Sequence, residues 1–425
     1  MKHSGFLLLL FVSAGSMLAQ SPRPLTLDQA EEIALRNHPK VNSAFLAALA
    51  SNQVIQQTRS NLFPFFTGNM TDAGALEGTR LAAGGLNNPV IFTRFATGLT
   101  LNHPVWDFGR TKRLVESDRM HAQAQNDLVD ATRAEVLLQL HQAYHSALRS
   151  GVVLRIAEQT VDARALVVDQ VTALAESNLK SGLDVSFAGV NLAEARLLLV
   201  SAQDERRAAM ADLSMAMGLG RPEEFELAET PLPPALPSTD ALIEQALSRR
   251  PELAHRRHES EAAWRFAEAE NALRLPSATV LGSVGVTPYR DPNLRGRFAA
   301  IGVNVSIPIF NGRLFEARRA EAQFKARAAS ERIRELEHQV VRDVTVSWYR
   351  ANISRNRLDL TAQLLEQARQ ALELAQARYD LGLSSIVELS QAQLNLTSAE
   401  LQHASARYEY QIQYAVLEFH AGALH

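Results

Sequence analysis

Two kinds of hydrophobic pattern alternate along the chain. Between 297 and 309, Ile301, Val303, Val305, Ile307 and Ile309 alternate with Gly302, Asn304, Ser306 and Pro308. A strict period of two predicts a strand with one apolar face. A weaker version sets Phe95, Leu99 and Leu101 against Arg94, Gly98, Thr100 and Asn102. The runs 63–71 and 277–287 read as hairpin partners of these strands, joined by turn-rich loops at 72–90 and 288–296. Next come stretches almost free of helix breakers. Residues 313–381 contain no Gly or Pro, and 110–181 contain only Gly151. About 69 helical residues make a rod of roughly 100 Å. Each rod is expected to end at Gly182 or Gly382, where glycine permits a reversal. Shorter helices then return over about 183–217 and 383–421. Earlier helical segments occupy about 26–60 and 239–274, behind a Thr or Ser cap. Two short helices end to end match one long one. Apolar stripes such as Leu358, Leu365 and Leu372 would supply the seam.

The landmarks occur twice in the same order. Residues 26–41 resemble 238–253, with Pro39 against Pro251 and Pro64 against Pro276 at an offset of 212. The stretch 104-PVWDFGR-110 matches 308-PIFNGR-313 with Gly109 on Gly312, and 181–199 matches 381–399 with Gly182 on Gly382. The expected organisation is a signal peptide at 1–20, a first repeat at 21–217, a Pro/Gly-rich linker at 218–238 and a second repeat at 239–425. The signal reading rests on Lys2, the apolar run Phe6–Val12 and small residues towards Ala19. That run is too short to cross a bilayer as a helix. No later stretch approaches 18 uninterrupted apolar residues, so helical spans are not expected.

Charge and cysteine narrow the function. The 425 residues carry 43 Lys+Arg and 46 Asp+Glu, a net charge of −3, which argues against nucleic-acid binding. Cysteine is absent, which removes disulfides, thiol catalysis and a lipid anchor on cysteine. Four amphipathic strands cannot close a barrel alone, because about eight is the practical minimum. If they lie in a membrane, several chains share one barrel, since open edges are not tolerated in hydrocarbon. A soluble β-sandwich with coiled coils, a non-pore periplasmic coiled-coil scaffold, and a helical enzyme or binding protein are the alternatives. His141 and His145, four apart on the long helix, have a spacing that can chelate a metal, but no third ligand type stands nearby in sequence. Two solvated or interhelical histidines are the simpler account. The cluster 255-HRRH-258 with Arg249 and Arg250 is interleaved with Glu252, Glu259 and Glu261, which reads as a charged helix face. No G-x-S-x-G, phosphate loop or H-E-x-x-H occurs, and neither an enzyme nor a cofactor is expected.

The stretch 377-ARYDLGLSSIVELSQAQLNLTSAELQ-402 resembles the TolC family of outer-membrane efflux proteins, as do the two strand-to-helix junctions. The resemblance covers essentially all of the chain after residue 20, including the duplication. It implies a mainly α fold with a membrane β portion: duplicated helical hairpins forming a periplasmic tunnel, and four strands per chain in a shared, trimeric, twelve-stranded outer-membrane barrel. It implies no chemistry, but an exit duct for small molecules or polypeptides. The implied partners are a periplasmic adaptor protein, indirectly an inner-membrane pump of RND, ABC or MFS type, and outer-membrane lipid. Glu388 stands at the family's inner acidic gate position, and three copies would make a cation-favouring carboxylate ring. The second acidic position is Gln391, the first-repeat acidic site falls on Ala188, and an Arg found in some members is Ser384. Tyr379 matches a gate tyrosine without its carboxylate partner. Gly182, Leu183, Gly382 and Leu383 form the tips where the adaptor would dock. Glu388 as an ordinary solvated residue, and leucines that staple their own hairpins, remain open.

Overall fold

The computed structural model describes residues 24–79 and 90–424, so the expected signal peptide and the centre of the 72–90 loop lie outside the described residues. The segment expected as one helix at 26–60 is two, α1 (Leu27–Asn37) and α2 (Pro39–Ser60). Pro39 lacks an amide hydrogen and drives His38 into extended geometry with ψ 122°. The second half repeats the break at Arg250 and Pro251, between α5 (Thr239–Arg249) and α6 (Pro251–Asn271).

The strands are β1 (Phe65–Ala73), β2 (Arg94–Trp106), β3 (Ser277–Arg290) and β4 (Arg297–Ser306), antiparallel in the order β1-β2-β3-β4. β4 ends at Ser306 although the alternation continues to Ile309, because Pro308 has no N–H for a ladder. Each hairpin feeds a long helix: α3 (Arg110–Glu176) and α7 (Leu314–Asp380), both of 67 residues. The return helices α4 (Gly182–Ala216) and α8 (Ile386–His420) have 35 residues each. At both ends of both pairs, the second copy lies 204 positions after the first.

That register corrects the sequence alignment. The first reversal uses Asn178 at φ 58°, the counterpart of Gly382 at φ 74°, while Gly182 is merely the first residue of α4. At the strand-to-helix junctions, Phe108 and Gly109 (φ 52° and 78°) correspond to Gly312 and Arg313 (φ 61° and 68°), so the glycines are one place out of step.

α3 packs against α2 and α4, and α7 against α6 and α8; α3 also meets α6 and α8, which joins the halves. The main core gathers Leu140, Tyr144, Met210, Leu213, Met217 and Tyr408 midway along the rods. A second cluster forms around Leu242, Leu253, Val340 and Val344. Most other buried helix positions are alanines, which lets helices approach closely with little aromatic filling.

The linker is stitched down. Leu25 pairs with Leu227 in a parallel bridge, and the Tyr144 hydroxyl lies 2.7 and 2.8 Å from the carbonyl oxygens of Leu25 and Ala228. Tyr410 donates to the Pro234 carbonyl at 3.1 Å, Trp348 to that of Pro237 at 2.9 Å, and Gln411 to Thr230. Proline-rich backbone cannot satisfy its carbonyls internally, so side chains of α3, α7 and α8 do so.

Candidate functional site

The sheet has two unlike faces, as the pairing registers reveal. One carries Phe66 opposite Leu101, Leu99 opposite Val284, Val280 opposite Val303 and Gly282 opposite Ile301. The other carries Thr67 opposite Thr100, Thr100 opposite Ser283, and Thr279 opposite Asn304. Asn69 donates to the Thr100 hydroxyl at 3.1 Å on this polar face. Phe298 lies there against Gly98 and Gly285, positions where any Cβ would collide with its ring or with backbone. Strands of 9 to 14 residues are long enough to span hydrocarbon. β1 and β4 are both edge strands, so each presents one row of backbone groups with no strand beside it among the described residues.

The junction between sheet and helices is clamped by one carboxylate. Glu270, at the end of α6, is 2% exposed and pairs with Arg110 of α3 at 3.3 Å and Arg318 of α7 at 2.7 Å. It ties the starts of both long helices together, and nothing local in the sequence marked it out.

The other end of the rods carries the predicted gate and docking residues. Glu388 sits in the first turn of α8, where its backbone N–H is capped by the Ser385 hydroxyl. Its carboxylate meets Arg378 at 3.2 Å, and both side chains are about half exposed. Gln391 is exposed and donates to Asn395 at 2.9 Å. The Tyr379 ring packs beside Val171, Ile386 and Leu389 with its hydroxyl buried and unpartnered, and Lys180 stands over its face at 4.6 Å. This cation–π contact joins the two hairpin tips. Asn191 donates to Ser390 at 3.0 Å, and the buried Arg164 reaches Gln393, so further polar links cross the same seam. Leu183 and Leu383 are each 66% exposed, and Leu179 and Leu381 flank them, also exposed.

The 204 register changes one assignment. The counterpart of Glu388 is Asp184, not Ala188, which is buried. Asp184 closes a capping box with Ser181, whose backbone N–H and hydroxyl donate to it and hold its pKa below the usual carboxylate value. The repeated Ser-x-x-acid at 181–184 and 385–388 was the signal that would have found it.

His141 and His145 are buried rather than solvated. His141 meets Glu31 at 2.6 Å, while His145 is buried edge-on to His141 and Tyr144 with its Nδ1 unpartnered, its pKa lowered to about 4 by burial and by His141. No group of three or more potential ligands that could hold a metal occurs among the described residues. In the basic cluster, Arg256 pairs with Glu259 at 2.7 Å, Arg257 with Glu337 at 3.4 Å, His258 with Asp127 at 2.6 Å and Arg250 with Glu252 at 3.1 Å. Their charge is spent within the fold. Among the described helices α4 alone is long and apolar enough to cross a membrane by length and composition, which the search for uninterrupted runs missed. Its exposed Leu183, Phe187, Val190 and Leu197 recur at intervals of three, four and seven, the spacing of a helix seam.

Comparison with known proteins points the same way. The chain is 24% identical over 421 residues to the outer membrane protein TolC of Salmonella enteritidis, covering 94% of this chain and 83% of that protein. It is 22% identical to the alkaline protease secretion protein AprF of Pseudomonas aeruginosa, over 96% of this chain and 86% of the relative. The crystal structure of the outer membrane protein VceC from Vibrio cholerae superposes with a TM-score of 0.77 at 19% identity, covering 93% of this chain and 96% of that one. The family described as "Outer membrane efflux protein" matches residues 32–219 and 242–423, one segment in each half. The fold, the amphipathic sheet and these matches together make the chain a member of the outer membrane efflux protein family.

Proposed function

We propose that the protein is the exit duct of a tripartite efflux or type I secretion system, formed by three chains around one axis. A single observation carries this reading: an antiparallel four-stranded sheet with one apolar face and two open edges stands at the end of two helices roughly 100 Å long. Three copies edge to edge give twelve strands, with the apolar face towards lipid and the polar face towards a lumen. The helices support the same arrangement. α2 and α4 form one flank of the chain and α7 the other. Each flank exposes an apolar row, with Leu46, Phe187 and Leu197 on one side and Tyr349, Ile353 and Leu360 on the other. Flank against flank is a head-to-tail contact, which closes into a ring when the rotation matches.

In this assembly the polar strand face and the helical tunnel conduct, and the tips close the periplasmic end. Glu388 and Asp184, one per hairpin, give six carboxylates around the tip of a trimer, which favours cations. Gln391 adds no charge. Tyr379 and Lys180 latch hairpin to hairpin. The leucines at 183 and 383, beside Gly182 and Gly382, receive an adaptor that links the duct to an inner-membrane pump. The duct itself performs no catalysis.

Planar-bilayer recording of the purified protein tests the proposal. Conductance with cation preference is expected, and Glu388→Ala with Asp184→Ala should weaken that preference. Unchanged selectivity in the double variant sinks the carboxylate ring, and absence of any conductance sinks the duct. Docking is tested separately: Leu183→Asp with Leu383→Asp should abolish efflux with the cognate adaptor while leaving bilayer conductance intact.

A further inference from the structure

The four places where strand meets helix share a signature. Each puts a large apolar side chain on the sheet side and a basic one on the helix side. Arg59 precedes Leu62 and Phe63; Trp106 and Phe108 precede Lys112; Arg274 precedes Leu275; Ile309 and Phe310 precede Arg313 and Arg319. The apolar members are exposed, with Trp106 at 60%, Ile309 at 95% and Phe310 at 89%. Arg59, Lys112, Arg274, Arg313 and Arg319 are exposed too, and no carboxylate lies within 4.0 Å of them among the described residues. Their neighbours Arg110 and Arg318 differ, being fastened to Glu270.

Two of these basic groups stand where helix electrostatics disfavours them. The start of a helix carries partial positive charge, so acids are stabilising there and bases are not. α1, α4, α5, α6, α7 and α8 obey, with Asp28, Asp184, Asp240, Glu252, Glu316 and Glu388 in their first turns. α3 has no acid in its first turn, and begins with Arg110, Lys112 and Arg113. α7 has Arg313 as its N-cap, left-handed and with no side-chain cap bond. The start of α3 receives the Asp107 carboxylate, which accepts from the Gly109 and Thr111 N–H groups, and α7 has Glu316 in its first turn, yet neither acid lies within 4.0 Å of Lys112, Arg313 or Arg319, whose charges are left for an external anion.

We infer that this collar binds the phosphate headgroups of anionic phospholipids in the periplasm-facing leaflet of the outer membrane. The inference rests on the membrane reading above. Continuity selects the occupant: the basic positions lie on the helix side of the apolar belt, within a few residues of it at every junction, the depth at which headgroups meet hydrocarbon. Long basic side chains there lay their stems along the apolar belt and their charges among phosphates. An acidic protein surface would satisfy the charges but would leave the adjoining belt exposed.

The test uses the full-length protein extracted from outer membranes in mild detergent, with retained lipids identified by mass spectrometry. Outer-membrane fractionation and bilayer conductance are measured first on the same preparation. Phosphatidylglycerol should be retained several-fold above its share of the membrane, and high salt during washing should reduce the excess. The variant K112S/R274S/R313S/R319S should lose the enrichment, while K112R/R274K/R313K/R319K keeps it. A control, R196S/R332S, removes exposed charges from the helical shaft and should change nothing. A conducting protein without phosphatidylglycerol enrichment overturns the collar alone. Equal enrichment in the serine variant overturns it as well, and so does a serine variant that loses a co-purifying protein instead of lipid. A protein missing from the outer membrane and without conductance overturns the membrane reading and the collar together.

Discussion

The middle of the rods and their tips are built from the same four helices, α3, α4, α7 and α8, yet they are held very differently. In the middle, Leu140, Tyr144, Met210, Leu213, Met217 and Tyr408 form one buried cluster, and the strap from Phe225 to Pro237 crosses it. Tyr408 donates to Glu229 of the strap at 2.9 Å, and burial beside that carboxylate raises the phenol pKa. At the tip, the buried cluster shrinks to Val171, Ile386 and Leu389, supplemented by Lys180 over Tyr379 and Asn191 on Ser390. Burying apolar area is the dominant favourable term in folding. The middle is therefore a fixed girdle, and the tip is a place where hairpins can separate without unfolding the chain. The proposed opening of the duct at its tip would use that division.

Mutations should break the girdle and the tip in different ways. The largest effect is expected at Tyr144→Ala, which leaves a cavity under the strap and frees the carbonyls of Leu25 and Ala228. A loss of about 4 kcal/mol is expected, read as a large drop in the thermal midpoint. Glu270→Ala should follow, at roughly 3 kcal/mol, because Arg110 and Arg318 lose a shared buried partner. Proteolysis at the sheet-to-helix junction would register it, whereas unchanged protection would show that the clamp does not hold that joint.

A third change separates the girdle from the tip by pH. His145 has a folded pKa of about 4, below its unfolded value, so it stays neutral in the fold while the unfolded chain takes up a proton. Stability from this site is full above about pH 6.5 and is lost as pH falls towards 4. Glu418 nearby is raised by burial and works in the opposite sense on acidification. His145→Leu should therefore gain more at pH 5 than at pH 7.5, and equal gains at both would remove the histidine from the account. The smallest stability effect is expected at the tip. Lys180→Ala should cost about 0.5–1 kcal/mol or less, yet raise the open fraction in bilayer recordings. A variant that loses stability without changing gating would make Lys180 structural.

Much of this architecture was legible in the chain. Residues 314–380 contain no helix breaker, and period-two alternation located β4, because strand and helix impose different spacings on buried side chains. Matching glycine to glycine misplaced the repeat register, since Asn178 adopts the left-handed turn that Gly382 fills in the second copy. That slip hid Asp184 behind Ala188. The strap looked like a plain linker because its partners, Tyr144, Trp348, Tyr410 and Gln411, are far away in sequence. The clamp at Glu270 was invisible for the same reason: one glutamate among many becomes special only when α3 and α7 bring their arginines to it.

The measurement that bears most directly on the account is the mass of the detergent-extracted outer-membrane protein, by light scattering with the detergent subtracted. The proposed twelve-stranded barrel, which would pair the open edges of β1 and β4 and cover the apolar flanks, predicts three chains per particle. A monomer, or a protein absent from the membrane fraction, would contradict a shared barrel and leave the sheet without its closure, and a dimer would contradict the proposed twelve strands.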